Sequence, residues 1–234
     1  MRKVFLLAAL LSTASIAWAG DTREATYDRL SHAGEVLHQI MSAPDRGIPE
    51  EVLDHAKCVA VVPHLIKGGF VFGAENGKGV ATCRTEKGGP KGEWSAPIFF
   101  GITGGSWGLQ IGVEGVDLVL IIQNERGMQR LLTSKFELGA DASVAAGPVG
   151  RHTSADTDWM LNAEILTYSR ARGVFAGFAL NGAAIHSDED STRALYGHDV
   201  STRIILHGEI PSPAKARPFL DAVLEARHQS RQAS

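Results

Sequence analysis

The sequence predicts an α+β fold with a mainly antiparallel, strongly curved or barrel-like β-sheet and helices at the N- and C-terminal ends. Three observations support this prediction. Apolar residues follow helical spacing near both ends of the chain, and many short strand-like segments fill the middle. Strands do not alternate with helices as they do in doubly wound parallel folds. The chain also contains 26 glycines, in keeping with a curved sheet of short strands.

The first 19 residues have the three parts of a cleavable signal peptide. Two basic residues open the chain, an apolar run follows through Leu11, and the small-residue motif Ala17-Trp18-Ala19 precedes Gly20. A transmembrane anchor needs about 20 apolar residues, and hydroxyl residues interrupt this run after Leu11. We therefore predict cleavage between Ala19 and Gly20, and a periplasmic or secreted mature protein.

Length and charge restrict the organisation and the partners of the mature chain. We predict a signal peptide at 1–19, an N-terminal helical segment at 20–57, a core with its C-terminal helix at 58–226, and a polar tail at 227–234. Loss of the two leader cations lowers the formal net charge from −3 to about −5. Because nucleic-acid binding requires a basic surface, no nucleic-acid partner is expected.

The two cysteines, Cys58 and Cys83, remain in the mature chain. An even pair in an exported protein indicates one disulfide, since the compartment is oxidising. Two buried thiols are the alternative.

Helical spacing and capping residues define the predicted helices. The apolar period and the helix start and stop residues place them at 22–41, at 49–56, at 125–132 behind the cap Asn124, and at 211–226. A further short helix is capped by Asp190 or Ser191.

Alternation and turn residues define the predicted strands. Cys58–Val62 is a short strand closed by Pro63, and a β-hairpin turns at Asn76-Gly77. The clearest alternation, at 106–114, predicts a single strand, and 117–123 is a buried one. At least two strands lie within 163–185, joined around Arg172-Gly173.

The motifs for catalysis, cofactor binding and metal binding are either absent from this sequence or lack a feature that they require. Residues 104–108 match the G-x-S-x-G nucleophile elbow, but Ser106 opens a predicted strand with no helix behind it. The acidic segment from Asp188 has Arg193 where a calcium loop requires glycine. The nine histidines form no metal-binding spacing, and no dinucleotide fingerprint is present. We predict no catalytic residues, no cofactor and no metal.

Several charged residues stand among small or strand-forming residues, where charges need partners. Two interpretations remain open: an internal network of ion pairs, or a polar site for a headgroup or other charged ligand. The residues concerned are Lys135, Asp141, Arg151, Glu164 and Arg170.

The chain resembles the SYLF family of lipid-binding domains. The resemblance rests on ordered matches that begin with AKCVAVVP at 56–63 and KGGF at 67–70, continue with GGSWGLQIG at 104–112 and AGPVGR at 146–151, and end with LYG at 195–197. It implies phospholipid binding without catalysis, and in eukaryotic members a phosphoinositide preference and association with actin. We expect no actin partner for an exported protein. The first helix also differs, because its cations are offset by Glu24, Asp28 and Glu35 and an interfacial helix is usually basic.

The sequence thus predicts an exported, non-enzymatic protein that binds phospholipid or a membrane surface. The alternative is a structural or protein-interaction module of the envelope without a lipid ligand. Candidate lipid-binding residues are Lys67 in a glycine-flanked turn and Lys87 with Lys91 in the loop before Trp94, together with Lys135 and Arg151, which are implied by the family motifs.

Overall fold

One curled sheet organises the fold, and the helices from the two ends of the chain pack on it. The structure is a computed structural model. It describes residues 2–43, 47–69, 72–85, 93–107, 112–148, 163–171, 174–176, 180 and 182–233. The helices are α1 (Arg2–Met41), α2 (Glu50–His55), α3 (Glu125–Leu131), α4 (Glu189–Tyr196), α5 (Thr202–Leu206) and α6 (Arg217–Ala233), the last preceded by a 3-10 turn at Ala214–Ala216. The strands are β1 (Cys58–Gly69), β2 (Phe72–Cys83), β3 (Ile98–Trp107), β4 (Gly112–Ile122), β5 (Lys135–Glu137), β6 (Val144–Ala146), β7 (Ile165–Ala171), β8 (Val174–Ala176) and β9 (Ala184–Ser187).

Eight strands follow the order β5-β9-β3-β2-β1-β4-β7-β6, and β8 also pairs with β7. All described pairs are antiparallel except β6 with β7. The sheet curls into a half-barrel. Its four central strands have the spatial order 3-2-1-4 of a Greek key. The chain therefore crosses from one side of the β1–β2 hairpin to the other between Trp107, which pairs with Phe72, and Gly112, which pairs with Gly69.

Both faces of the central strands are buried in the half of the sheet that contains Val59 and Val61. On one face Val59 and Val61 pack with residues of α1 and α6 such as Leu37 and Phe219. On the other face the neighbouring strand residues join a second core, which includes Phe136 of β5 and residues of α3 and α5. This double burial explains the continuous apolar runs in β1 and β4, since a strand buried on both sides does not alternate.

The predicted fold class is confirmed: the protein is α+β, with a mainly antiparallel curled sheet and helices at both ends. Helix α3 has its predicted cap, because the Asn124 side chain accepts a hydrogen bond from the Gly127 amide at 2.9 Å. The two strands predicted around residues 172–173 are β7 and β8. Among the described residues no helix combines the length and apolar composition needed to cross a bilayer.

The predicted turn at Asn76-Gly77 is wrong. Both residues lie inside β2, where Asn76 pairs with Ile66 on one side and with Thr103 on the other. Gly77 is required for packing instead, because a Cβ there would lie 2.7 Å from Leu65 Cδ1 and 2.8 Å from Val62 Cγ1. The absence of a side chain, which suggested a tight turn, serves the close approach of β1.

Pro63 does not end the first strand, contrary to the prediction. Strand β1 continues to Gly69, and its register with both neighbours shifts near residues 62–65. This bulge accommodates a residue without an amide hydrogen in a central strand. His64 follows with φ of 62°, an unusual value for a residue other than glycine.

The strand predicted at 106–114 is also wrong, because its residues belong to two strands. β3 ends at Trp107, β4 begins at Gly112, and residues 108–111 lie outside the described part of the chain. The alternation of apolar and other residues indicates which side chains face the core, but it does not show where one strand ends and the next begins. Helix α4 is capped by Asp188 rather than by Asp190 or Ser191, with Asp188 Oδ1 accepting from the Ser191 amide at 3.2 Å.

Cys58 and Cys83 form the predicted disulfide, with an S–S distance of 2.03 Å. They stand directly opposite each other in the β1–β2 pair, and both side chains are fully buried in the second core. The bond therefore ties the start of β1 to the end of β2.

Candidate functional site

A cleft of about 680 Å³ lies between one side of α1 and the sheet. Its helix wall is a mainly polar side of α1 from residue 25 to residue 39, and its floor is formed by β1, β2, β4 and β7. Its charged lining residues are Asp28, Arg29, Glu35, Lys78, Asp117 and Arg170.

The floor of the cleft has a charged row that runs across the strands. Arg170 on β7 stands opposite Asp117 on β4, and its guanidinium nitrogen lies 3.0 Å from Asp117 Oδ2. The other carboxylate oxygen of Asp117 accepts a hydrogen bond from the His64 amide at 3.1 Å. Because this amide belongs to the bulge of β1, the backbone distortion at Pro63 and His64 anchors the row.

A second cluster closes the β2 side of the cleft and joins three distant segments. Asp188 Oδ2 lies 3.1 Å from an Arg29 guanidinium nitrogen and 3.0 Å from Lys78 Nζ. The Ser191 hydroxyl donates to the same oxygen at 2.8 Å. Arg29 also lies over the Phe99 ring, 5.4 Å from its centroid. The N-cap residue of α4 thus forms ion pairs with one cation from α1 and one from β2.

Two cations share this one carboxylate, so the cluster has an excess of positive charge. Asp188 loses favourable hydration on burial, but hydrogen bonds from Ser191 and Lys78 and the charge of Lys78 outweigh that loss and hold its pKa below the usual range. Burial lowers the pKa of Arg29, which Asp188 partly counteracts. The Asp188 side chain is only 8 % exposed, whereas that of Lys78 is 59 % exposed. Lys78 can therefore reach a ligand anion in the cleft while Arg29 satisfies Asp188.

The predicted lysine Lys67 lies inside β1 rather than in a turn, on the face of the sheet opposite the cleft. Its ammonium is 3.3 Å from Glu75 Oε2, and Glu114 pairs with Lys67 from β4. Glu75 is itself buried and lies over Gly104, whose Cβ would come within 2.5 Å of Glu75 Oε1. Lys67 therefore has a structural partner, and its part in lipid binding stays a prediction.

Of the other predicted cations only Lys135 lies among the described residues, and it does not line the cleft. Lys135 is exposed on β5, which pairs only with β9 among the described strands. Lys87, Lys91 and Arg151 lie outside the described residues. Their part in lipid binding also stays a prediction.

The ion-pair interpretation of the isolated charges fits two of them. Glu164 contacts Arg126 at 3.5 Å, and Arg170 contacts Asp117 at 3.0 Å. Asp141 has a local role instead, since its carboxylate accepts from the Glu137 amide at 2.8 Å.

Sequence reasoning missed the cluster around Asp188. Its members Arg29, Lys78 and Asp188 are far apart in the chain and form no linear motif. A signal did exist for Asp117, because a carboxylate in an otherwise apolar strand needs a cation. Its partner could not be chosen without the strand order.

The elbow-like segment does not form a nucleophile elbow. Ser106 lies inside β3, where it pairs with Gly73 of β2, and the next described element is another strand. An elbow requires a sharp strand-to-helix turn at the serine.

Comparison with known proteins decides the family. Residues 103–226 match the family described as "Ysc84: Las17-binding protein actin regulator". The chain belongs to the Ysc84 family, also known as SYLF. The matched Ysc84 segment begins in β3 and ends in α6, so it contains Asp117, Arg170 and Asp188, while Arg29 and Lys78 precede it.

Eukaryotic members of the Ysc84 family are similar over most of this chain. The "SH3 domain-containing YSC84-like protein 1" of Rattus norvegicus is 36% identical over 181 residues, which cover 77% of this chain and 52% of the relative. The human protein of that name is 35% identical over the same extent. "Protein YSC84" of Saccharomyces cerevisiae is 34% identical over 195 residues, 81% of this chain and 40% of the relative. The chain thus spans about half the length of the vertebrate relatives.

Proposed function

We propose that this Ysc84-family protein is exported and binds phospholipid without catalysis, with a headgroup phosphate held in the cleft between α1 and the sheet. The observation that carries the proposal is the cluster in which Arg29 and Lys78 share the single carboxylate of Asp188. An exposed ammonium beside a buried guanidinium gives a phosphate oxygen a charge-assisted partner.

The local charge matters because the chain as a whole is mildly acidic. Long-range attraction to an anionic surface is therefore weak, and binding depends on specific cations. Asp28 and Glu35 on the α1 side of the cleft keep its total charge low. A contact through Lys78 weakens with salt, since exposed charges are screened over about 8–10 Å at moderate ionic strength.

Vesicle flotation with the mature protein tests this function. We expect flotation with vesicles of phosphatidylethanolamine and phosphatidylglycerol, and less flotation as salt rises. The variant Lys78→Gln should bind several-fold more weakly with only a small loss of stability, because Arg29 still neutralises the buried Asp188 and the Lys78 side chain is itself 59 % exposed. Lys57→Gln is the matched control, an exposed lysine that directly precedes β1 and does not line the cleft. Equal loss in both variants would contradict a role for the cleft.

Export is tested by the N terminus of the mature protein. We expect N-terminal sequencing of exported material to begin at Gly20, as the small-residue motif before it predicts. The disulfide supports an oxidising compartment. A protein that starts at Met1 and stays in the membrane fraction would show that the leader is an anchor.

A protein-interaction module is the second candidate, and the names of the relatives favour it. The family is described as Las17-binding, and a yeast relative at 34% identity is named "LAS seventeen-binding protein 3". Those partners belong to the relatives, and we expect neither actin nor nucleic acid as a partner here. Folded protein that floats with no vesicle composition at low salt would favour this candidate.

A further inference from the structure

The sheet face that lines the cleft continues past the charged row towards Gly69 and Gly112. The next two rows of residues on this face, each running across neighbouring strands, carry no charge. The strand register defines both rows, because residues directly opposite in antiparallel strands share a face. The first row contains Thr103, Asn76, Ile66 and Gly115. The second contains Gly105, Ala74, Gly68 and Val113. Ile66 and Asn76 line the cleft together with Lys78, which identifies the face as the one turned towards α1.

The two large apolar side chains of these rows face solvent. Ile66 is 47 % exposed and Val113 is 74 % exposed. Among residues with described side chains, only two other large apolar residues are similarly exposed, Ile204 on α5 and Leu224 on α6. The sequence has no charged residue from Gly68 to Ala74 or from Trp94 to Val113. Exposed apolar groups without nearby charge on their face suit contact with hydrocarbon.

The spacing of the rows matches the layers of a bilayer surface. Val113 lies four residues from Asp117 along β4, which corresponds to about 13 Å. The polar layer of a bilayer is about 5–8 Å thick on each side. A charged row at the level of the phosphates therefore places Val113 at the hydrocarbon, even when the strands are tilted.

Charges on the opposite face fix which side turns to the membrane. Lys67, Glu75 and Glu114 lie there, between the levels of the two uncharged rows. Their burial in hydrocarbon would cost free energy. At this end of the sheet β1 pairs with both neighbours from Ile66 to Gly69, and β2 pairs with both from Gly73 to Asn76, so their backbone groups already have partners.

We infer that the far end of β1–β4 docks on the outer layer of a phospholipid bilayer through its α1-side face. Val113 and Ile66 meet the acyl chains, and Lys78 meets the phosphates. This inference rests on the proposed phospholipid binding and adds the surface and its orientation.

Two matched variants test the docking surface. Val113→Asp adds a charge at the proposed contact, and Leu224→Asp adds the same charge at an exposed apolar residue on α6, which is 45 % exposed. With vesicles of phosphatidylethanolamine and phosphatidylglycerol, we expect Val113→Asp to bind at least about tenfold more weakly and Leu224→Asp to bind as the parent protein does. Binding by both variants at the parent level would overturn the inference and leave phospholipid binding intact. If the parent protein itself does not bind, the proposed function fails.

Depth measurements provide a second readout that does not depend on the stability of the Asp variant. An environment-sensitive fluorophore on Val113→Cys should be quenched by lipids brominated on their acyl chains, and the same label on Leu224→Cys should not. The native disulfide is buried, so each variant offers one reactive thiol. Quenching at residue 224 alone, or at neither residue while the protein is bound, would assign membrane contact to another surface.

Discussion

Lys78 Nζ lies 3.0 Å from Asp188 Oδ2, so the middle of β2 is tied to the N-cap of α4. The same oxygen binds Arg29 of α1. One carboxylate therefore connects the N-terminal helix, the central sheet and a helix from the C-terminal half.

Replacing this carboxylate should destabilise the protein. Asp188→Asn leaves Arg29, which is mostly buried, without its counter-charge, and we expect a loss of about 1–3 kcal/mol in the free energy of unfolding. Asp190→Asn is the control, because Asp190 forms an exposed ion pair with Arg193 and such pairs contribute about 0–1 kcal/mol. Denaturant unfolding of both variants measures the difference. Equal small effects would mean that Asp188 is dispensable for stability.

The contribution of Asp188 should also depend on pH. Its pKa is lower in the folded protein than the value of about 3.9 for an unfolded aspartate. A depressed pKa stabilises the fold above the unfolded value, and this stabilisation is lost as pH falls through the folded value. The stability difference between the parent protein and Asp188→Asn should therefore be constant from neutral pH to about pH 5 and shrink below about pH 4. A difference that grows on acidification would contradict the assigned cause.

The disulfide should make a measurable contribution to stability. Its two cysteines are 25 positions apart, and the chain-entropy relation gives about 3–4 kcal/mol for a loop of this length. Thiol titration of denatured, unreduced protein should find no thiol, and reduction should release two. Unfolding of the Cys58→Ala, Cys83→Ala double variant measures the stabilisation. Two thiols before reduction would contradict the bond.

Gly34 should not tolerate a side chain, although it lies in a helix. A Cβ there would overlap the Pro218 carbonyl oxygen of α6, and backbone cannot move aside cheaply. Gly34→Ala should therefore lower stability by about 1–3 kcal/mol, despite a helix propensity about 1 kcal/mol better for alanine. Ser31→Ala, at an exposed position of the same helix, should change stability by less than about 0.5 kcal/mol. A stabilised Gly34→Ala protein would show that α1 and α6 are not closely packed there.

Patterns confined to a few neighbouring residues predicted much of this fold. The Asn124 cap depends on one side chain and an amide three residues later, and the structure has it. The Asn76-Gly77 turn failed because the reason for glycine is the approach of Leu65 from another strand. The cleft could not be predicted, since Arg29 and Asp188 meet only after α1 packs beside α4. Neighbouring residues in the sequence predict local geometry such as a helix cap. The site depends instead on strand order and helix packing, which bring distant residues together.

The position of the disulfide within the first hairpin has a consequence for the order of folding. When a chain is exported with its N terminus first, Cys58 and Cys83 both reach the oxidising compartment before β4, which begins at Gly112. Oxidation can therefore join the two central strands before either flanking strand has paired. The later return of β4 to β1 across the hairpin then finds its partner strand already fixed in register.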